Sequence, residues 1–126
     1  MSASDKQSIA FGDRLSKALA ITQTPLCLGI DPHMAMMPPV FKTGSKIEQL
    51  ETIKAFSLAC IEAAEGLVPA VKPQVALFEK FGPAGMEILQ HVGDQAKQAG
   101  LLVIMDAKRG DIGSTSKAYA DAWIGP

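Results

Sequence analysis

Leu101-Leu102-Val103-Ile104-Met105, apolar at every position, runs straight into Asp106-Ala107-Lys108-Arg109-Gly110-Asp111. A strand with one wet face alternates apolar and polar residues. An unbroken apolar run instead fits a parallel sheet whose strands are covered on both faces or line a barrel. The abrupt change to charge at Asp106 marks the strand's C-terminal end. If the strand stays extended, residues 106 and 108 point the same way, and Asp111 follows one short turn later.

Upstream, the same arrangement occurs twice more. Leu26-Cys27-Leu28-Gly29-Ile30 reads as a first strand ending at Asp31-Pro32, and Ala70-Val71-Lys72-Pro73-Gln74 as a second. Between them lie a Pro- and Met-rich loop running to Gly44 and a helix opened by a capping box, Ser45 with Glu48. That pairing satisfies two otherwise orphaned backbone donors. Leu50, Ile53, Cys60, Ile61 and Ala64 share one face of this helix, and Gly66 stops it. Gly82-Pro83 opens the next helix, with Leu89, Val92 and Ala96 on its buried side and Gly100 as its end. A shorter helix over Asp13–Ala20, broken by Thr24-Pro25, precedes the first strand, and a fourth helix starts near Ser114-Thr115-Ser116.

Alternating strands and long crossovers imply a parallel sheet. Asp31 to Lys72 is 41 positions and Lys72 to Lys108 is 36, the spacing of repeated β/α units. A (β/α)8 barrel typically takes about 250 residues. The 126 residues therefore read as the N-terminal half of a TIM barrel, an α/β fold of three parallel strands with crossover helices, truncated. One partial barrel domain, residues 1–126 with the C-terminal half absent, is the domain organisation expected.

Composition narrows the function classes. A net charge of −1 with 20% charged residues gives no electrostatic reason to expect nucleic acid or an anionic membrane as partner. No apolar run approaches the ~20 residues that span a bilayer. Met1-Ser2-Ala3-Ser4-Asp5-Lys6 lacks the apolar core of a secretory signal, so a cytoplasmic location is expected. Cys27 and Cys60 each sit in an apolar stretch and read as buried free thiols.

Charge falls at the end of all three strands: Asp31, then Lys72, then Asp106 and Lys108. In parallel β/α folds that end is the active face. One charged strand end is ordinarily the start of a solvated loop; three at once point to a site. Buried charge is expensive unless paired. Carboxylates beside lysines favour the ionised form of both, and a lysine held as ammonium can stabilise a developing carbanion and then protonate it. Such a set requires neither metal nor organic cofactor. His33 lies in the first loop and His91 in mid-helix, reading as a surface residue, and neither shares a metal-ligand spacing with another His or Cys. Ser114 to Ser116 have no partnered histidine and read as helix-capping residues rather than nucleophiles. Arg109 and Gln74 fit either supporting groups or ordinary strand-end and loop residues.

Asp106-Ala107-Lys108-Arg109-Gly110-Asp111-Ile112 resembles the Asp-x-Lys-x-x-Asp-Ile motif of the orotidine 5'-phosphate decarboxylases. Leu26-Cys27-Leu28-Gly29-Ile30-Asp31-Pro32 and Val71-Lys72-Pro73-Gln74-Val75-Ala76-Leu77-Phe78-Glu79 resemble the first two strands of that family's longer bacterial type. The resemblance implies a cofactor-free lyase that converts orotidine 5'-monophosphate to uridine 5'-monophosphate and carbon dioxide, the last step of pyrimidine nucleotide synthesis. It implies Lys108 as proton donor to C6, Asp106 beside the departing carboxylate, and Lys72 at the ribose completing the charge network. It implies Asp31 on the nucleoside hydroxyls, and Asp111, Ile112 and Thr115 reaching across a homodimer interface into the partner's site.

The family's phosphate-gripping loop and arginine lie on its last strands and have no counterpart here, so this chain alone is expected to be inactive. Two other readings remain. A magnesium-dependent sugar-phosphate decarboxylase or synthase of the same superfamily shares the third-strand motif but places an acidic metal ligand on the second strand, where Lys72 stands. The other reading is a non-catalytic half-barrel serving as a binding module.

Overall fold

A computed structural model describes residues 9–41 and 45–125. The first residues discussed above, Gly44 and Pro126 lie outside that range. Strands β1 (Cys27–Ile30), β2 (Ala70–Pro73) and β3 (Leu102–Val103) form one parallel sheet in the order β1-β2-β3. Gly29 lies opposite Lys72 and Val71 opposite Val103, and Gln74 meets Asp106 in an isolated parallel bridge.

The third strand is shorter than its apolar run suggests, and Pro73 supplies the reason. The amides of Leu102, Ile104 and Asp106 donate in turn to the carbonyls of Pro69, Val71 and Pro73. The return bonds must come from alternate β2 amides, and position 73 has no N–H to give. Val75 resumes the pattern by donating to Asp106 at 3.3 Å. The backbone path thus stays extended to Asp106 although the regular ladder ends at Val103.

The helices are α1 (Phe11–Thr22), α2 (Lys46–Ala64), α3 (Ala76–Glu79), α4 (Pro83–Gln98) and α5 (Gly113–Trp123). Both arms of the Ser45–Glu48 capping box form, and Pro83 takes the first turn of α4. The helix α3 is a departure: residues read as a continuation of the second strand turn helical right after Gln74. Val75 opens that turn in right-handed α conformation, and Phe78 folds into the core. In α5, Ile112 is the N-cap residue and makes no side-chain capping bond, so Ser114 to Ser116 lie within the helix and do not cap it. The loop after β1 carries two short 3-10 turns, Met34–Met36 and Pro39–Phe41.

Period-two geometry divides the sheet. Leu28, Ile30, Val71, Val75, Val103 and Met105 face α2 and α4, packing with Ile53, Ile61, Leu89, Val92 and Ala96. Phe78, Ile30, Ile53, Val71 and Val92 are fully buried, each such side chain contributing about 1.5–3 kcal/mol. The opposite face carries Cys27, Gly29, Lys72, Gln74, Ile104 and Asp106 and, among the described residues, is open beyond the point where α1 lies against β3. Cys27 is consequently an exposed thiol, not a buried one; Cys60 is half-buried, and burial raises its pKa. Three parallel strands with their crossover helices on one face form the first part of a (β/α)8 barrel.

Candidate active site

The C-terminal ends of β2 and β3 and the loop that follows bring three side chains onto one carboxylate, that of Asp106. Lys72 and Gln74, two residues apart, project from the same face of β2 and its extension, and Asp106 stands opposite Gln74 in the bridge. Gln74 Nε2 donates to Asp106 Oδ2 at 3.1 Å, and Lys72 Nζ reaches the same oxygen at 3.4 Å. Lys108 Nζ donates to Asp106 Oδ1 at 2.6 Å, within the range of a charge-assisted bond. Both oxygens of Asp106 are thus engaged by donors. Lys108 does most to hold its carboxyl below the ordinary range; desolvation, the next largest effect, opposes it, and Lys72 and Gln74 add smaller contributions in the same direction as Lys108.

Lys108 does not reach Asp106 by strand alternation, as an extended 106–108 segment would require. Its backbone is left-handed, φ 48°, so the chain turns at this residue and the side chain returns to the carboxylate. For a residue with a Cβ this conformation costs roughly 1–2 kcal/mol. Nor is the cluster buried: the side chains of Lys72, Asp106 and Lys108 are 39%, 22% and 70% exposed. The open sheet face above them explains this.

Arg109 and Glu79 are the supporting pair that periodicity does not reveal. Arg109 Nη2 binds Glu79 Oε1, its Nη1 donates to the Ala107 carbonyl at 2.6 Å, and its guanidinium lies 5.9 Å from the centroid of the Trp123 ring. Gln74 was within reach of sequence reasoning, since it shares a strand face with Lys72. Glu79 was not, being 30 residues from Arg109 on a helical turn with no sequence signal.

Asp31 follows β1 on the same rim and is exposed. Gly29 leaves it room: a Cβ there would stand 3.1 Å from Asp31 Oδ1. Asp111, Ile112 and Thr115 lie outside the Asp106 group. Asp111 Oδ1 accepts the Ile112 amide at 2.8 Å, Ile112 is 85% exposed, and Thr115 is exposed in the first turn of α5. His33 and His91 are both exposed. Charge-wise, the rim offers a fixed anion flanked by two ammonium groups, which can repel one carboxylate while delivering a proton nearby.

Residues 24–125 match the family described as orotidine 5'-phosphate decarboxylase / HUMPS. An orotidine 5'-phosphate decarboxylase of a Nocardioides species is 48% identical over 118 residues, covering 94% of this chain and 41% of the relative. One from Rhodopirellula baltica is 43% identical over 121 residues, covering 93% and 40%. A solved chain from Streptomyces avermitilis, given the same activity provisionally, superposes with a TM-score of 0.78 at 44% identity, over 89% of this chain and 38% of its own. This chain spans about two-fifths of the length of the curated relatives it matches.

Proposed function

This chain belongs to the orotidine 5'-phosphate decarboxylase / HUMPS family, and from that premise we propose that its full-length gene product decarboxylates orotidine 5'-monophosphate to uridine 5'-monophosphate. The observation that carries the reading is the convergence of Lys72 and Lys108 on the two oxygens of Asp106. In the proposed step the bond from C6 to the carboxylate breaks, carbon dioxide leaves, and the electron pair stays on C6. A proton from Lys108 Nζ then forms the new C6–H bond. The two ammonium groups stabilise the developing negative charge. Asp106, ionised at neutral pH, holds Lys108 and crowds the substrate carboxylate electrostatically; destabilising a ground state in this way needs binding energy from elsewhere on the substrate.

Asp31 is assigned to the nucleoside hydroxyls and Lys72 to the ribose. Asp111, Ile112 and Thr115 are assigned to the neighbouring site of a homodimer, a role to which their exposure is suited. The described residues then belong to a single barrel domain, and the gene product acts without a cofactor in the cytoplasm. Against the magnesium-dependent sugar-phosphate reading stands Lys72: its ammonium, 3.4 Å from Asp106, repels a divalent cation at that carboxylate.

The test is an assay of the purified full-length gene product with orotidine 5'-monophosphate and, separately, with hexulose and pentulose phosphates, each with magnesium and with chelator. Release of carbon dioxide from the nucleotide alone, undiminished by chelator, is expected. Magnesium-dependent turnover of a sugar phosphate without nucleotide turnover contradicts the proposal.

A further inference from the structure

Lys108 is poised in a conformation that its own backbone disfavours. A non-glycine residue at φ 48° persists where surrounding contacts over-determine it. Those contacts converge on the next residue. Arg109 is anchored at three points from separate elements: Glu79 at the end of α3, the Ala107 carbonyl just before Lys108, and the Trp123 ring near the end of α5. Its side chain is only 26% exposed, and the planar fork of a guanidinium can serve a carboxylate and a carbonyl together, which an ammonium cannot match. Among the described residues, Lys108 itself is pinned only at its tip, by Asp106, and its side chain is 70% exposed. Without the anchor at 109, the turn is free to relax toward an ordinary negative φ, which swings the Lys108 side chain off the carboxylate.

We propose that the Arg109–Glu79 pair is a positioning device that locks the turn at residues 107–110 and thereby holds the Lys108 ammonium on Asp106. Neither residue touches the reacting atoms in this scheme; both act through Lys108. The catalytic consequence rests on the decarboxylase reading above, whereas the geometric consequence does not. A salt bridge that merely staples α3 to the loop would affect stability alone.

The experiment compares Glu79→Gln, Arg109→Lys and Arg109→Met with the parent in the full-length gene product. Turnover of orotidine 5'-monophosphate is one readout. The NMR titration of the 13C-labelled Asp106 carboxyl is the other. The groups facing that carboxyl are Lys72 and Gln74 from the second strand and Lys108 from the loop. Of these, only Lys108 sits on the turn that the pair holds. Glu79→Gln and Arg109→Met are expected to lower kcat by about 10- to 100-fold, the scale of a small misplacement, with KM little changed. The Asp106 midpoint should rise toward its ordinary 3.8, and Arg109→Lys should fall between parent and Arg109→Met on both readouts. An unmoved Asp106 midpoint in folded Glu79→Gln protein overturns the proposal, whether or not kcat falls. Glu79 is half-exposed, so this variant keeps the test open if Arg109→Met fails to fold. If the parent has no decarboxylase activity, the functional reading fails, and the Asp106 midpoint alone decides the positioning role.

Discussion

Lys108 and Asp106 are two residues apart in sequence and meet at 2.6 Å across a turn in which Lys108 is left-handed, φ 48°. Extended backbone would also have set both residues on one side. The pair depends on a turn, and the turn on contacts from outside the strand.

Asp106 ties this cluster to acid stability. Its folded-state pKa is depressed, chiefly by Lys108, so its contribution is complete above the unfolded value near 3.8 and is lost as pH falls through the lower folded value. Urea unfolding of parent and Asp106→Asn as a function of pH should therefore show the parent's advantage shrinking as pH falls below 3.8. An advantage that grows toward acid would reverse the sign assigned here.

Close packing between α3 and α4 depends on Gly85. A Cβ at that position would fall 1.9 Å from the Phe78 carbonyl oxygen, a backbone atom that cannot move aside cheaply. Gly85→Ala is expected to destabilise by roughly 3 kcal/mol or more, the upper range for overpacking. At Gly93 the nearest obstacle is the flexible Met105 methyl, at 2.8 Å, so Gly93→Ala should cost distinctly less. Chemical denaturation of both variants checks the order; equal costs would mean that the α3–α4 approach is looser than described.

How far the sequence revealed this fold depends on the kind of signal. Helix ends set by local chemistry, at Ser45–Glu48 and Gly82-Pro83, were legible because capping and proline geometry act within one turn. Strand identity was legible from apolar runs ending in charge. The break in the β3 ladder depended on a missing donor across the sheet at Pro73, and the helical turn at 76–79 on Phe78 entering the core. Both are tertiary effects. The grouping of Lys72, Asp106 and Lys108 was legible from position alone, whereas the Arg109–Glu79 pair required three-dimensional proximity. The exposure of Cys27 likewise followed from which sheet face is open, which an apolar run cannot disclose.

Ser57 Oγ, fully buried on α2, has no hydrogen-bond partner among the described residues. An unsatisfied buried hydroxyl costs about 1–3 kcal/mol, and alanine is the better helix former. Ser57→Ala should therefore raise stability by roughly 1 kcal/mol or more, read as a higher urea midpoint at unchanged m-value. A lower midpoint would show that the hydroxyl is used in the folded protein.

If Asp111 serves a neighbouring subunit, the two halves of a site can be supplied separately. Full-length Asp111→Ala and Lys108→Ala proteins, each inactive alone, should regain up to about a quarter of parental activity per site when mixed dimers form, by random pairing of subunits. Verified mixed dimers with no recovered turnover would place both residues in one subunit's site.

The most direct measurement is made on full-length Lys108→Ala: turnover of orotidine 5'-monophosphate beside the affinity for uridine 5'-monophosphate. Decarboxylation should be lost by several orders of magnitude, as expected when the general acid is removed, while the nucleotide still binds. Turnover near the parental rate, with binding intact, would contradict the assignment of the proton to Lys108.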